Sequence, residues 1–234
     1  TRGPLMQLDI LNRRVKGTCA ALLAAALATG CATTKSPYDY TQFKQSRPAS
    51  ILVLPPLNGS PDINASYSML SQVTLPLAES GYYVFPVSLV DETFHQNGLH
   101  NPAEMHDVKL QKLREIFGAD AALYITVKEY GTSYTVISSE SRVTAEARLI
   151  DLRSEQVLWN GTATASSAEG RNSSGGLVGL LVQAVVSQII ESSTNRSHPI
   201  AGITSYRLLG AGMPNGMLYG PRSPKYQTDG NARP

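Results

Sequence analysis

Short apolar runs and strict alternation between apolar and polar residues predict the strands of this chain. In the second half of residues 132–151 every second residue is apolar, from Val143 to Leu149, which is typical of a strand with one face in water. Ile51–Leu54 is a continuous apolar run stopped by Pro55 and Pro56, as expected of a short buried strand. Together the runs predict five strands, at Ile51–Leu54, Tyr82–Val87, Asp120–Tyr130, Thr132–Asp151 and Gln156–Ala165.

Apolar residues three and four positions apart predict helices between these strands. One begins near Asp62 or Asn64 and ends at Gly81, and Pro76 is expected to bend it. A short helix is predicted over Ser88–Gln96. All of these elements lie before the long alternating segment, so helices and strands alternate in the first half.

The clearest helix signal begins at Asn101, which is a suitable N-cap residue. Pro102 then occupies the first helical position, and Glu104 completes a capping box. Apolar residues continue at helical spacing until Gly118 ends the helix. A further, strongly apolar helix is predicted over Leu177–Ile190.

The chain changes character after His198, because 11 of the 36 residues from Pro199 to Pro234 are glycine or proline. That composition predicts no helix in this segment. Its apolar residues favour something other than a plain solvated linker, and two alternatives stay open. The Gly/Pro-rich arm over residues 198–234 either docks on its own body or a neighbouring subunit, or it is a disordered end.

The order of elements predicts an α/β (α+β) fold, in which one mixed sheet with an antiparallel meander is flanked by helices. The meander consists of the two hairpins formed by the last three strands. A single domain over residues 50–197 is long enough to bury one core.

The amino-terminal 30 residues have the organisation of a lipoprotein signal peptide. Basic residues precede the apolar run Thr18–Ala28, which is shorter than the roughly 20 residues that cross a bilayer, and small residues lead into Cys31. We therefore expect cleavage before Cys31 and acylation of its thiol and amine. Because several acyl chains hold far more firmly than one, the mature protein is expected to stay on the membrane.

Residues 31–49 are polar, contain Pro37 and Pro48, and show no apolar periodicity. They are predicted to be a lipidated tether, whose 18 residues after Cys31 would span roughly 25 Å as a flexible coil. An aspartate directly after the acylated cysteine would resemble a signal for retention in the inner membrane, but this chain has Ala32 at that position. The periplasmic side of the outer membrane is therefore the favoured location.

Charge and cysteine content exclude other classes of protein. The chain has 20 basic and 18 acidic residues. Residues 1–30 contain four of the basic residues and one of the acidic residues, so the rest of the chain has 16 basic and 17 acidic residues. A nearly neutral body offers no electrostatic footprint for nucleic acid. Because Cys19 leaves with the signal peptide and Cys31 is acylated, no disulfide is expected.

The sequence offers weak candidates for chemistry. The spacings of His95, His100 and His106 do not place them on one helical face, so solvated or hydrogen-bonded histidines are expected and not a metal site. No G-x-S-x-G elbow or phosphate loop is present. Asp91 and Glu92 are expected to face solvent, and Trp159 is expected to pack in the core or at a sheet edge, with an interaction surface as the alternative. No catalytic residue, cofactor or metal is predicted.

The Cys31 motif, the ILVLPP strand, the GADAALYITVKEY strand and the following meander resemble outer-membrane lipoproteins typified by the neisserial genome-derived antigen lipoproteins. Their fold is similar to the amino-terminal domain of TolB and to lipoproteins of curli secretion and Pel polysaccharide export. The resemblance implies a non-enzymatic envelope component, oligomeric or bound to other envelope proteins. The predicted role is a scaffold or accessory subunit of an envelope transport or secretion apparatus.

Two alternatives remain. The first is an oligomeric secretion pore of the curli-channel type, for which the segment Arg142–Asp151 nearly has the length of a membrane-crossing strand. The alanines on its apolar face are smaller than the residues that usually meet lipid. The second alternative is a periplasmic ligand-binding protein or enzyme whose pocket is invisible in the sequence.

Overall fold

The computed structural model describes residues 38–134, 139–169 and 196–230. Residues from Tyr38 onward form a compact unit of their own. The predicted signal peptide, Cys31 and the predicted helix Leu177–Ile190 lie outside the described residues, so these predictions are not tested by the structure.

The sheet contains six strands within the described part of the chain, in the order β3-β1-β4-β5-β6, with β2 also paired to β4. β1 pairs in parallel with β3 and β4, whereas β4–β5 and β5–β6 are antiparallel. The predicted mixed sheet with its meander is thus confirmed. The strands are β1 Ser50–Val53, β2 Leu57–Asn58, β3 Tyr83–Val84, β4 Ala121–Tyr134, β5 Ser139–Asp151 and β6 Val157–Ser166.

Helices cover both faces of the sheet. The described ones are α1 Thr41–Ser46, α2 Ala65–Gln72, α3 Thr74–Glu79, α4 Val87–Gln96, α5 Pro102–His106, α6 Leu110–Phe117 and α7 Ser197–Leu209. α2, α3 and α7 contribute to the larger apolar cluster on one face, and α4–α6 contribute to the smaller cluster on the other.

Alternation along the strands divides residues between these two clusters. Ile51 and Val53 join the larger cluster, while Leu52 and Leu54 join the smaller one. A continuous apolar run is therefore required in β1, which is covered on both faces. The predicted inward residues of the central strands are all in the larger cluster: Ala121, Leu123, Ile125, Val127, Val143, Ala145, Ala147 and Leu149.

The prediction that no helix follows His198 was wrong, because α7 occupies Ser197–Leu209. Only two of the 11 glycines and prolines precede Gly210. Pro199 lies in the first turn, where no intrahelical N–H bond is lost. A Cβ at Gly202 would lie 3.0 Å from Gln72 Oε1, so this glycine lets α7 approach α2 closely. Burial of one helix face overrides the unfavourable composition.

Two predicted helices are each divided in the structure. Pro76 cannot donate to the carbonyl of Gln72, and the helix breaks at Val73 between α2 and α3. The freed Gln72 carbonyl accepts a 3.0 Å hydrogen bond from Ser205 Oγ of α7. The helix is thus broken at this place, where only a bend was expected. The backbone carbonyl that the break leaves without a helical partner is hydrogen-bonded by α7 instead.

The helix expected to run from Asn101 to Gly118 is also divided, into α5 and α6. Asn101 caps α5 as predicted, since its Oδ1 accepts from Ala103 N at 2.9 Å. α5 ends at His106, and α6 ends at Gly118, which has a positive φ of 68°.

Part of the segment predicted to be a polar tether folds onto the body. α1 lies within residues 31–49, and Phe43 is only 3% exposed. A single buried aromatic residue among polar ones leaves no periodic signal, which explains why the pattern did not predict this helix.

Candidate functional site

Of the segment 198–234, which the sequence predicts to be one arm, residues 198–209 belong to α7. Only residues 210–230 are called the arm from here on, and they pack on the body beside α1. Trp159 Nε1 donates to Asn215 O at 2.9 Å, and Tyr40 Oη donates to Gly216 O at 2.6 Å. Met217 and Leu218 are 1% and 8% exposed. Of the alternatives that the sequence left open, the structure shows the arm docked on its own body.

Two tyrosine hydroxyls that hold the arm remain protonated donors. Burial, and then the neighbouring Tyr38 and Asp229, raise the pKa of Tyr40 to about 12. Burial holds the pKa of Tyr82 well above its usual value, and its hydroxyl donates to Leu218 O. Neither contact therefore depends on pH under physiological conditions.

A pocket of about 190 Å³ opens between α1 and the arm. Phe43, Tyr82 and Leu218 form its apolar part. Lys44 and Arg47 lie at its rim, and Lys44 Nζ donates to Gly230 O at 2.7 Å. The pocket combines aromatic surface with cations, but Lys44 is used to hold the end of the arm.

A second pocket of about 270 Å³ lies where the arm meets α3 and α7. Tyr206 Oη donates to Glu79 Oε2 at 2.6 Å across this pocket, and that bond, with burial, raises the pKa of Tyr206. Glu79 and Tyr206 are thereby paired with each other. The hydrogen bond between Tyr206 and Glu79 therefore resembles a structural contact and not the pairing of a catalytic nucleophile with a general base.

Asp151 fixes α1 to the end of β5. Its Oδ1 accepts backbone N–H bonds from Arg153 and Ser154 at 2.7 and 2.8 Å, and its Oδ2 accepts from Ser46 Oγ. Burial alone would raise the pKa of Asp151, but these hydrogen bonds and the Arg153 guanidinium outweigh it and lower the pKa. Asp151 is an ionised structural carboxylate.

Of the histidines singled out from the sequence, His95 and His100 lie together and His106 lies apart from them. The rings of His95 and His100 lie 5.2 Å apart, and His95 Nε2 is 3.7 Å from Asp91 Oδ1. His106 Nε2 donates to Pro55 O at 2.9 Å, and burial lowers the pKa of His106. Within residues 38–134, 139–169 and 196–230, no three His, Cys, Asp or Glu side chains form a group that could hold a metal ion.

Asp91 differs from its prediction. Its side chain is 17% exposed, and its Oδ1 is buried without a hydrogen bond, although solvent exposure was expected. Glu92 is exposed as predicted and accepts from Gln96 at 2.9 Å. The helix face of Asp91 turns toward the body because Val90 and Phe94 beside it enter the smaller core cluster.

Trp159 packs in the core as expected and is 1% exposed. The sequence did not indicate its second role, which is to hold the arm through Nε1. The apolar residues of the arm were the available signal, since buried Met217 and Leu218 require a partner surface. Cys31 lies outside the described residues, and its acylation stays a prediction. Among the helices that the structure describes, none has both the length and the apolarity needed to cross a membrane.

Comparison with known proteins agrees with this architecture. The sequence model of the GNA1162-like lipoprotein family matches residues 38–222, which span the compact unit from its first described residue into the arm. A lipoprotein of Neisseria meningitidis serogroup B, NMB1124/NMB1162, is 53% identical over 203 residues, covering 86% of this chain and 94% of its own. The chain belongs to the GNA1162-like lipoprotein family.

A crystal structure of a member of this family, lipoprotein GNA1162 from Neisseria meningitidis, shares 54% identity and a TM-score of 0.51. The match covers 62% of this chain and all of that one. The PelC dodecamer from Paraburkholderia phytofirmans is more distant, at 16% identity and a TM-score of 0.40, over 68% of this chain and 85% of PelC. The neisserial structure is the one that supports the α/β architecture of this family member.

Proposed function

We propose that this chain is anchored by acylated Cys31 to the periplasmic side of the outer membrane, where it acts as a non-enzymatic scaffold or accessory subunit of an envelope transport or secretion apparatus. The observation that carries the proposal is membership in a lipoprotein family over residues 38–222. The arrangement of basic residues, apolar run and cysteine at the amino terminus supports the anchor.

A role in binding is supported by the surface of the helical layer. Ile63 just before α2, Tyr67 on α2 and Leu75 on α3 are 86%, 51% and 61% exposed. Large exposed apolar side chains that lie near one another are found at sites of protein contact. At the two pockets, Lys44 donates to Gly230 of the arm and Tyr206 donates to Glu79. These pairings favour binding over catalysis.

The experiment for the anchor is a mass measurement of the protein purified from its own host, together with fractionation of the Cys31→Ser variant. Acylated Cys31 with no preceding residues supports the anchor, and the variant should leave the outer-membrane fraction. An unmodified thiol and an uncut leader contradict it.

The experiment for the scaffold role is crosslinking in intact cells, followed by identification of bound envelope proteins. A Tyr67→Lys/Leu75→Lys variant should lose these partners, and a matched Leu89→Lys/Ile116→Lys variant on the other helical layer should keep them. Crosslinks that are equal in both variants contradict a contact through α2 and α3.

One observation favours the pore as a second candidate. β4 and β5 have 14 and 13 residues, which exceeds the roughly 9–11 residues of a membrane-crossing strand. The alanine-rich face of β5 lies in the larger core cluster, to which α7 also contributes, so a pore requires that layer to move away. Conductance of the assembled protein across planar bilayers supports the pore, and its absence contradicts it.

A further inference from the structure

The pocket between α1 and the arm is lined mostly by aromatic and aliphatic side chains. Its buried part consists of Phe43, Tyr82 and Leu218, which are 3%, 3% and 8% exposed. Tyr219 and Tyr226 of the arm add two further rings to the lining. An apolar group that enters this pocket therefore exchanges water for aromatic surface, which is favourable.

The volume of the pocket, about 190 Å³, suits one aromatic ring. An apolar cavity of about 150 Å³ is large enough to hold benzene. Pockets that enclose whole small-molecule ligands have volumes of about 300 Å³ and more. The size therefore favours a single aromatic side chain over a larger cofactor or metabolite.

Most charged groups of the pocket are bound to the protein itself. Lys44 Nζ donates to Gly230 O at 2.7 Å, and Asp229 Oδ2 accepts from Tyr219 N at 2.8 Å. Arg47 Nε donates to Lys44 O at 3.0 Å, but in the part of the chain that the structure describes Arg47 forms no ion pair with a carboxylate. The remaining N–H groups of its guanidinium can donate to a carbonyl beside a bound ring.

The backbone is strained at two positions of this pocket. Four residues other than glycine have a positive φ among the described residues, and two of them, Arg47 at 47° and Gln227 at 63°, line the pocket. Glycine is the usual residue in this conformation at the end of a helix, where Arg47 follows α1. Such strain is concentrated at sites where a particular side chain is needed. The backbone thus marks the same pocket as the ring lining.

The ring that would fill the pocket has to come from another molecule. The chain has 11 tyrosines, four phenylalanines and one tryptophan, and all of them lie within residues 38–134, 139–169 and 196–230. Segments 1–37, 135–138, 170–195 and 231–234 contain no aromatic residue. No segment outside the described residues can therefore supply the ring.

We propose that this pocket receives an aromatic side chain of a partner envelope protein, and that Arg47 donates to a backbone carbonyl beside that ring. The proposal rests on the proposed function, in which the chain binds envelope proteins, and it names the chemistry of one contact. Aromatic side chains that enter well-packed pockets contribute much of the binding energy of protein interfaces. The arm then has a function beyond stability, because it supplies Tyr219 and Tyr226.

Nuclear magnetic resonance of ¹⁵N-labelled protein tests the pocket with N-acetylphenylalaninamide as the probe. A Cys31→Ser chain that starts at residue 31 should bind the probe with a dissociation constant of about 1 mM, as expected for one ring with few polar contacts. Amide signals of residues 43–48 and 218–229 should shift. N-acetylalaninamide, which lacks the ring, should bind about tenfold or more weakly.

Equal binding of the two amides would overturn the proposal, because the ring would then contribute nothing. Free phenylalanine is the test for a different source of the ring. If it binds about tenfold more tightly than N-acetylphenylalaninamide, the site takes a free amino acid and the assignment to a partner protein is overturned.

Variants locate the binding. Tyr226→Ala should weaken it about tenfold or more and leave the fold intact, because Tyr226 is only partly buried. Arg47→Gly should weaken binding several-fold but unfold at an unchanged or higher urea concentration, since glycine accepts a positive φ. Tyr67→Ala removes an exposed tyrosine outside the pocket and should bind normally. Equal losses in Tyr226→Ala and Tyr67→Ala would overturn the proposal.

Crosslinking in intact cells separates this proposal from the scaffold role. Tyr226→Ala should reduce the crosslinks to a partner envelope protein. If Tyr67→Lys/Leu75→Lys loses its partners while Tyr226→Ala keeps all of them, the scaffold role stands and the pocket proposal is overturned. If the unmutated chain crosslinks to no protein although the probe binds, the site for a ring stands, whereas the scaffold role and the protein source of the ring are overturned.

Discussion

At the scale of single residues, the core does not tolerate an added side chain at a glycine over which a large side chain is packed. Trp159 and Gly161 are two positions apart on the same side of β6, and a Cβ at Gly161 would overlap the indole ring at Cζ2 and Cη2. The indole is 1% exposed and donates to the arm. Gly161 is thus required for the position of Trp159.

We expect Gly161→Ala to lower the free energy of unfolding by about 1–3 kcal/mol, because the added methyl group displaces a packed indole. Urea denaturation measures the change. The same substitution in a Trp159→Leu background should cost less, since the overlap is then gone. Equal costs in both backgrounds would contradict this explanation.

Asp151 gives the protein a stability that depends on pH. Its folded pKa is lowered, so the stabilisation is present above its unfolded pKa near 3.8 and is lost as pH falls through the lower folded value. Asp151→Asn should therefore be less stable at pH 7 by about 1–3 kcal/mol, and the difference should shrink as the pH falls below the unfolded pKa. Denaturation at several pH values measures it, and a constant difference would contradict the assignment.

At the scale of elements, five of the six described strands were predictable, whereas β2, the ends of the β4–β5 hairpin and several helix boundaries were not. β4 and β5 alternate over many residues, and this local pattern specifies their pairing faces. α7 depends instead on contacts with α2 and β5: Thr204 Oγ1 donates to Val143 O at 3.2 Å, and Gly202 lies against Gln72. Nothing in the sequence of α7 itself predicts that it packs against α2 and β5.

The arm is an element held by few buried side chains, so it should detach before the body unfolds. We expect Met217→Ala/Leu218→Ala to expose the arm to limited proteolysis, with an unfolding cost of about 2–5 kcal/mol from the lost burial. Mass spectrometry of the fragments locates the cleavage. A matched Tyr226→Ala/Gln227→Ala variant, at partly or fully exposed positions, should leave the arm protected. Arm cleavage at the same rate in both variants would contradict the role of the buried pair.

At the scale of the whole molecule, the stable unit begins before β1. Phe43 is buried, and Ser46 bonds to Asp151 from a segment that the sequence assigns to a tether. The family match also begins at Tyr38.

We expect a chain that starts at Tyr38 to unfold at the same urea concentration as one that starts at Cys31. A chain that starts at Ser50 should lose about 3–5 kcal/mol, as expected for removing a buried phenylalanine and its helix. Equal stability of all three chains would place the beginning of the folded unit at β1.

The sequence by itself determined the mixed sheet, its meander and the inward residues of β4 and β5, because period-two alternation is a local property of the chain. It also predicts an address at the membrane, since a cysteine after a short apolar run would be read by processing enzymes without any fold. Tertiary structure decided the rest: α1, α7 and the docking of the arm. Each of these depends on a surface supplied by residues 56 to 176 positions away, such as Asn215 for Trp159 or Gly216 for Tyr40. Burial against such a surface outweighs the local secondary-structure propensity. A short window of sequence does not contain the distant residues that form the surface.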